Sequence, residues 1–228
     1  MTPLTASELE ALSALDSPTV SNVIETYNLR LRNEGYTDGS ILCRFPKLQS
    51  MVGYAVTMQM RTTKPPVKGL SYPNRSDWWD ILLSMPSPKI LVIEDTDKLV
   101  GQGSVGGGIH GSIFKALGCV GIVTNGALRD LPTLEALRLH AYSGSITPSH
   151  AYAHIVDVGV PVTIGGMEIE TGDLLHGDMH GIVGIPQSIA RDIPQASIRA
   201  INHEREIENF CASESFSVER LRQMIEKF

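Results

Sequence analysis

Residues 119–134 read CVGIVTNGALRDLPTL, an apolar run that flows into an arginine and an aspartate side by side. Residues 119–124 predict a buried strand, Asn125-Gly126 is a turn signal, and the segment from Leu131, with Pro132 in its first turn, predicts a helix. Arg129-Asp130 therefore falls where a strand crosses into a helix. In open α/β sheets such crossings lie outside the carboxyl ends of the strands, where ligands bind.

Upstream, the stretch GQGSVGGGIHGSIFKALG holds seven glycines between Gly101 and Gly118, ahead of a helical pattern at Ile113, Phe114 and Leu117. Glycines this dense mark backbone that bends sharply or is approached closely. The stretch has no GxxxxGK[ST], and GSVGGG matches GxGxxG loosely, with no ribose-binding acid at the expected distance, so a packed loop is the better reading than a nucleotide cradle. Before it, KILVIED is a short apolar strand ending in two acids, and SDWWDILLSM predicts a helix capped by Ser76. MVGYAVTMQMRTT predicts a longer strand from Met51, closed by Pro65-Pro66. The first residues predict two helices. One follows a capping box of Thr5 and Glu8; the other has Ser17 as cap, Pro18 at the first helical position, and Val20, Val23, Ile24 and Tyr27 on one face. Downstream, Gly165-Gly166, Gly172-Asp173 and His180-Gly181 predict turns between short apolar strands, and residues 188–228 read as helical and charged. The class is α/β: a single domain over residues 1–228, with a helical segment at about 5–30 and another at about 188–228.

Nineteen basic and twenty-five acidic residues give a formal charge of −6, so no global positive field draws the chain to nucleic acid or anionic lipid. Cys43, Cys119 and Cys211 are odd in number and in no CxxC pattern, which argues against a disulfide framework or a zinc site. The N-terminal stretch lacks a basic region followed by an apolar one, and no apolar run approaches the ~20 residues of a membrane span. The expectation is a cytoplasmic protein with neither nucleic-acid nor membrane partners.

Asp130 admits two readings: a helix cap accepting orphan N–H bonds, or a carboxylate holding a hard divalent cation with waters. Arg129 likewise pairs with a nearby acid or clamps a substrate carboxylate through its guanidinium fork. Other candidates carry less. His176, Asp178 and His180 fall at a predicted turn, where aspartate serves backbone geometry. His140 stands alone, His150 and His154 could share a helical face but lack the glutamate of HExxH, and Trp78-Trp79 reads as core on one side and interface on the other. No Ser-His-Asp or Cys-His signature is present.

The runs GGGIHGSIFKALGCVGIVTNGALRDLPTL and GDLLHGDMHGIVGIP resemble the family of regulator of ribonuclease E activity A and its relatives, the divalent-metal 4-hydroxy-4-methyl-2-oxoglutarate aldolases. LDSPTVSNVIE, GYAVTMQ and IPQASIRAINHEREIENFC extend the resemblance over most of the chain. It implies a β/β/α layered domain of the swivelling phosphohistidine-like type, assembled as a homotrimer or hexamer with active sites between subunits. It implies that Arg129 binds the carboxylate or oxo group of a small 2-oxo acid, that Asp130 coordinates Mg²⁺ or Mn²⁺, and that backbone N–H groups of Gly108, Ile109, His110 and Gly111 line the ligand. Glu204 aligns with a glutamate that reaches the cleft from a neighbouring subunit. The aldolases carry an acid twenty intervening residues before the Arg-Asp pair, and here that position is Gly108. His110, two residues on, is the side chain able to transfer protons in its place. The implied activity is a lyase releasing pyruvate by retro-aldol cleavage or oxaloacetate decarboxylation. The alternative is a non-catalytic ring that binds another protein.

Overall fold

The computed structural model describes residues 2–67 and 78–226. In chain order the elements are α1 (Ala6–Ser13), α2 (Ser17–Thr26), β1 (Leu42–Cys43), β2 (Met51–Arg61), α3 (Trp79–Ser84), β3 (Lys89–Asp95), β4 (Ser104–Gly106), α4 (Gly108–Ala116) and β5 (Cys119–Leu128). They continue as α5 (Leu131–Ala136), β6 (His140–Ile146), β7 (His154–Val158), β8 (Val162–Ile164), β9 (Met167–Ile169), β10 (Leu174–Asp178), β11 (Gly181–Ile185), α6 (Ile193–Cys211) and α7 (Val218–Ile225).

Local chemistry starts the first helices. Thr5 and Glu8 form the reciprocal box: Thr5 N donates to Glu8 Oε2 at 2.7 Å and Glu8 N to Thr5 Oγ1 at 3.3 Å. The cap of α2 is one residue earlier than the sequence suggests. Asp16 accepts from Thr19 N at 2.8 Å, while Ser17 is drawn inward, its Oγ 3.0 Å from His176 Nδ1 and its N–H donated to Asp178 Oδ2 at 2.8 Å. The suggested cap of α3, Ser76, lies outside the described residues. Trp78 opens that helix as a core side chain, edge-on to Phe114 with ring centroids 5.8 Å apart.

The main sheet runs β1-β6-β5-β3-β2-β10-β11, with β4 also on β5 and β7 also on β2. Its centre, β6-β5-β3-β2, is parallel. One edge of β2 is shared, by β10 along Met51–Tyr54 and by β7 along Met58–Arg61, and this forking makes the sheet nearly closed. The hairpin β8-β9 forms a second small sheet. Period-two alternation explains why the central strands are apolar throughout. Val56, Leu91, Ile93, Ile122 and Leu128 face α3, α4 and α5, while Ala55, Ile90, Val92 and Val123 face β8-β9. A third cluster, around Leu12, Val23, Ile24, Leu175's neighbour Leu174 and Ile193, seats α1, α2 and α6 on β2, β10 and β11. Each fully buried aliphatic side chain here contributes roughly 1.5–3 kcal/mol over its exposed state.

One predicted turn is absent and another is displaced. Asn125-Gly126 does not turn the chain: β5 continues through it to Leu128, and pairing with β6 slips there, Thr124 facing Ser143 and Ala127 facing Ser145. The pair is a bulge, because the asparagine side chain bonds to β3 instead of closing a hairpin. The β10-β11 hairpin turns on Met179-His180, with Asp178 opposite Gly181, so the turn is one residue earlier than read. His150 and His154 share no helix; His154 opens β7 and His150 lies in the loop before it.

Candidate active site

Arg129 and Asp130 leave the carboxyl end of β5 and enter α5, as the opening stretch suggests. Arg129 N donates to Gly106 O at 3.1 Å, which extends the β4-β5 pairing by one bond. Its guanidinium reaches Pro148 O at 3.5 Å and stands 3.7 Å from Asp130 Oδ2. Both side chains stay accessible, 34% for Arg129 and 47% for Asp130.

Asp130 is the strained residue of the group. Its φ of 54° and ψ of 37° are left-handed, a conformation that costs a non-glycine residue about 1–2 kcal/mol. Its carbonyl starts α5 by accepting from Thr133 N and Leu134 N, but its side chain does not cap that helix. The carboxylate instead crosses to α4, where Oδ2 accepts from Gly108 N at 2.9 Å. This settles the cap reading in an unexpected way: Asp130 caps a helix twenty-two residues before it in the chain. Oδ1 has no hydrogen-bond partner among the described residues.

The glycine-rich stretch is not one loop, since Gly106 ends β4 and Gly108 to Gly111 already belong to α4, and its glycines have distinct reasons. A Cβ on Gly107 would come within 2.7 Å of Asp130 Oδ2 and 2.9 Å of Arg129 Cγ, so only glycine lets the pair lie against the start of α4. At Gly108 a Cβ would meet Thr133 Cγ2 at 3.1 Å, so a side chain there points at α5 and needs Thr133 to yield slightly. Gly108, Ile109 and His110 form the first turn of α4, whose amides fall outside the helix's own i to i−4 ladder and carry its positive end. Ile109 is 78% exposed beside them. The His110 ring stacks on Phe114, 6.0 Å between centroids, and Gly111 packs under Leu134.

The fold thus places Gly108, Ile109, His110 and Gly111 on the helix that starts beside Arg129 and Asp130, but the Gly108 amide is committed to Asp130 Oδ2 and the Gly111 amide to Gly107 O at 2.8 Å, so neither of those two lines a ligand as the resemblance implied. The fold does not bring Glu204 to this group. Glu204 lines a groove of about 1030 Å³ between α2 and α6, beside Tyr27, Arg191 and Arg199. Sequence reasoning missed Gly107, Thr133 and the carbonyls of Gly106 and Pro148, whose roles depend on loops meeting in space.

Among the described residues no three His, Cys, Asp or Glu side chains converge as a metal site. A cation that keeps most of its waters needs less. One exposed carboxylate with an uncommitted oxygen is a fitting donor for Mg²⁺ or Mn²⁺, with the other positions left to water and an oxo-acid ligand. The His176-Asp178-His180 group is structural: Asp178 also accepts from His180 N at 2.8 Å, and His176 Nε2 lies 3.1 Å from Leu15 O. Hydrogen bonds from Ser17 and His180 hold the Asp178 carboxyl below its usual range against the opposing effect of burial, and burial holds the His176 imidazole below its own. The three cysteines are free; burial pushes the Cys119 thiol up to about 12, which removes it as a nucleophile. No helix among the described residues is long and apolar enough to cross a membrane.

The sequence pattern of the family described as RraA-like, Aldolase/RraA, matches residues 18–183. A protein of Halalkalibacterium halodurans provisionally named 4-hydroxy-4-methyl-2-oxoglutarate aldolase is 33% identical over 82 residues, 36% of this chain and 39% of that protein. An uncharacterized protein of Methanocaldococcus jannaschii is 27% identical over 139 residues, 58% of this chain and 65% of its own. The chain thus spans less than two thirds of each of these relatives. Among solved structures, an uncharacterized protein from Pseudomonas syringae shares the fold with a TM-score of 0.75 at 23% identity, over 100% of this chain and 96% of that one. A Streptomyces coelicolor protein described as an unusual member of the RNase ES inhibitor RraA family does so at 0.67 and 24%, over 90% and 97%.

Proposed function

The chain belongs to the RraA-like family, and on that premise we propose that it is a divalent-metal-dependent lyase that releases pyruvate from small 2-oxo acids. The observation that carries the proposal is Asp130: a left-handed aspartate, half exposed, with one carboxylate oxygen fixed on the start of α4 and the other uncommitted, beside the Arg129 guanidinium. Aspartate tolerates this left-handed conformation, and here it accompanies a carboxylate turned away from α5, one oxygen on α4 and the other open to a ligand.

In this reading Arg129 binds the substrate carboxylate and orients it, with Pro148 O and the Asp130 carboxylate setting the direction of the fork. The amides of Ile109 and His110, next along the first turn of α4 after the Gly108 amide that Asp130 holds, supply fixed dipoles where negative charge grows on the 2-oxo oxygen. Asp130 would hold Mg²⁺ or Mn²⁺, which when bound withdraws charge from the developing pyruvate enolate. His110 would take the proton from the C4 hydroxyl in aldol cleavage, since Gly108 supplies no acid. Decarboxylation of oxaloacetate needs no such base, and is therefore the activity that better survives the glycine at 108. Glu204 would act from a neighbouring subunit, since within one chain it lines the α2-α6 groove away from Arg129. That role requires an oligomer, for which the resemblance to the family implies a homotrimer or hexamer.

The test is pyruvate release from oxaloacetate and from 4-hydroxy-4-methyl-2-oxoglutarate, with Mg²⁺ or with EDTA, beside Asp130→Ala. The expected result is metal-dependent release, faster on oxaloacetate, reduced about a hundredfold or more by the substitution. Background rates in every condition from folded protein would overturn it. They would favour the second reading, a non-catalytic ring that binds another protein, for which the missing acid at Gly108 and the exposed Ile109 speak.

A further inference from the structure

We propose that Asn125 and Asp95 are positioning residues that aim Arg129-Asp130, acting at the point where β5 changes partner; the inference rests on the function proposed above.

The β3-β5 ladder ends at the pair Ile93–Thr124. The β4-β5 pairing begins at Ala127, opposite Ser104. Between them, among the described residues, no backbone rung joins β5 to the rest of the sheet on that side, and the Asn125 carboxamide stands in for one. Its Oδ1 accepts from Asp95 N at 2.7 Å and its Nδ2 donates to Asp95 O at 3.1 Å, the two bonds that a paired strand residue would make. Asparagine is suited to this because it offers an acceptor and a donor in one plane, as a peptide does. On the other edge of β5 the bulge against β6 falls at the same place, so the last residues of the strand are directed independently of the first six.

Asp95 secures the other branch. It is 1% exposed, and its carboxylate accepts from Gly101 N at 2.9 Å and Thr62 Oγ1 at 3.4 Å through Oδ2, and from Asp97 N at 3.2 Å through Oδ1. Thr62 Oγ1 in turn accepts from Gly103 N at 3.2 Å. These bonds hold the segment that delivers β4, and the last residue of β4, Gly106, accepts from Arg129 N. Two routes therefore leave Asp95 and meet at Arg129: one through Asn125 along β5, the other through Gly101, Gly103 and β4. Gly126 allows the close fit, since a Cβ there would stand 3.0 Å from that of Asp95.

A purely structural role would lower stability without touching the activity of the folded protein, so the test needs a matched control. Asn125→Ala and Thr62→Val, the latter similar in shape but unable to bond Gly103 or Asp95, are compared with Leu12→Ala, a cavity in the third cluster under α1. Hydrogen exchange is followed by peptide, and oxaloacetate decarboxylation is assayed well below each Tm. Asn125→Ala is expected to speed exchange in 101–108 and 126–130 but not in 89–92, and to lower kcat/KM about tenfold or more, with Thr62→Val intermediate and Leu12→Ala unchanged. Equal losses in all three variants, or wild-type kcat/KM in Asn125→Ala, would overturn the inference. Should Asn125→Ala not fold, Thr62→Val alone decides between these outcomes. If wild-type protein releases no pyruvate, the function proposed above fails while the positioning still stands or falls on exchange: local loosening of 126–130 supports it, and uniform or absent change refutes it.

Discussion

Asp130 shows how much one residue can carry that its neighbours in sequence do not reveal. The Arg-Asp pair is legible because a buried run ends in two charged residues before a helix, and the structure keeps that arrangement. What is not legible is the destination of the carboxylate, Gly108 on another helix, since no local pattern encodes a contact across twenty-two positions. Asp16 and Ser17 make the same point: both suit an N-cap, and only the buried His176 and Asp178 decide that Ser17 turns inward. Gly108 gives the prediction at this scale. An aspartate there would stand at the favourable end of α4 and press on Thr133, which can yield by a few tenths of an ångström. Gly108→Asp is expected to raise aldol cleavage relative to oxaloacetate decarboxylation about tenfold or more, by supplying the missing proton relay. The ratio of the two rates in one preparation checks it, and an unchanged ratio would remove position 108 from the proton path.

At the scale of elements, strands and helices were legible wherever a period was sustained. β2, β3, α1 and α2 stand within a residue or two of where apolar spacing and caps put them, while the helical reading of 188–228 resolves into two helices, α6 from Ile193 and α7 from Val218, with 212–217 between them. Asn125-Gly126 misled because the same dipeptide serves a hairpin and a bulge, and the choice belongs to β3, which offers Asp95 to the asparagine side chain. The correction matters for the site. A turn would have separated the buried strand from Arg129, whereas a bulge keeps both in one strand and lets the end be aimed. The four-residue spacing of His150 and His154 left a shared helical face open, and the structure closes that option, since spacing alone carries no helix without an apolar face to bury.

For the whole molecule, the α/β class and the nearly closed sheet follow from strands that are apolar on both faces, which must be covered on both. The pairings that close the sheet, β10 and β7 on the shared edge of β2, join segments far apart in the chain, Arg61 with His154 and Met51 with Gly177, and cannot be read from either segment alone. Global stability should carry an acid-side signature. Burial, aided by the charges of Lys115 and Arg138, lowers the His140 pKa from 6.5 to about 4. The unfolded chain then binds a proton that the folded chain refuses, so stability is full above 6.5 and falls as pH drops from 6.5 toward about 4. The loss should be on the order of 1–3 kcal/mol after allowance for the partial exposure of the ring. His176, lowered by burial, adds in the same direction, while Asp95, raised by burial, opposes it at the acid end. Chemical denaturation across that range should show the slope in the wild type and a shallower one in His140→Asn; equal slopes would assign it elsewhere. The central claim, that Asp130 presents a carboxylate to a divalent cation beside Arg129, is tested most directly by Mn²⁺ binding, read from the electron paramagnetic resonance of the free ion with and without pyruvate. The account predicts one Mn²⁺ per chain in the wild type, bound more tightly with pyruvate present, and loss of that binding in folded Asp130→Ala; equal binding by both proteins would contradict it.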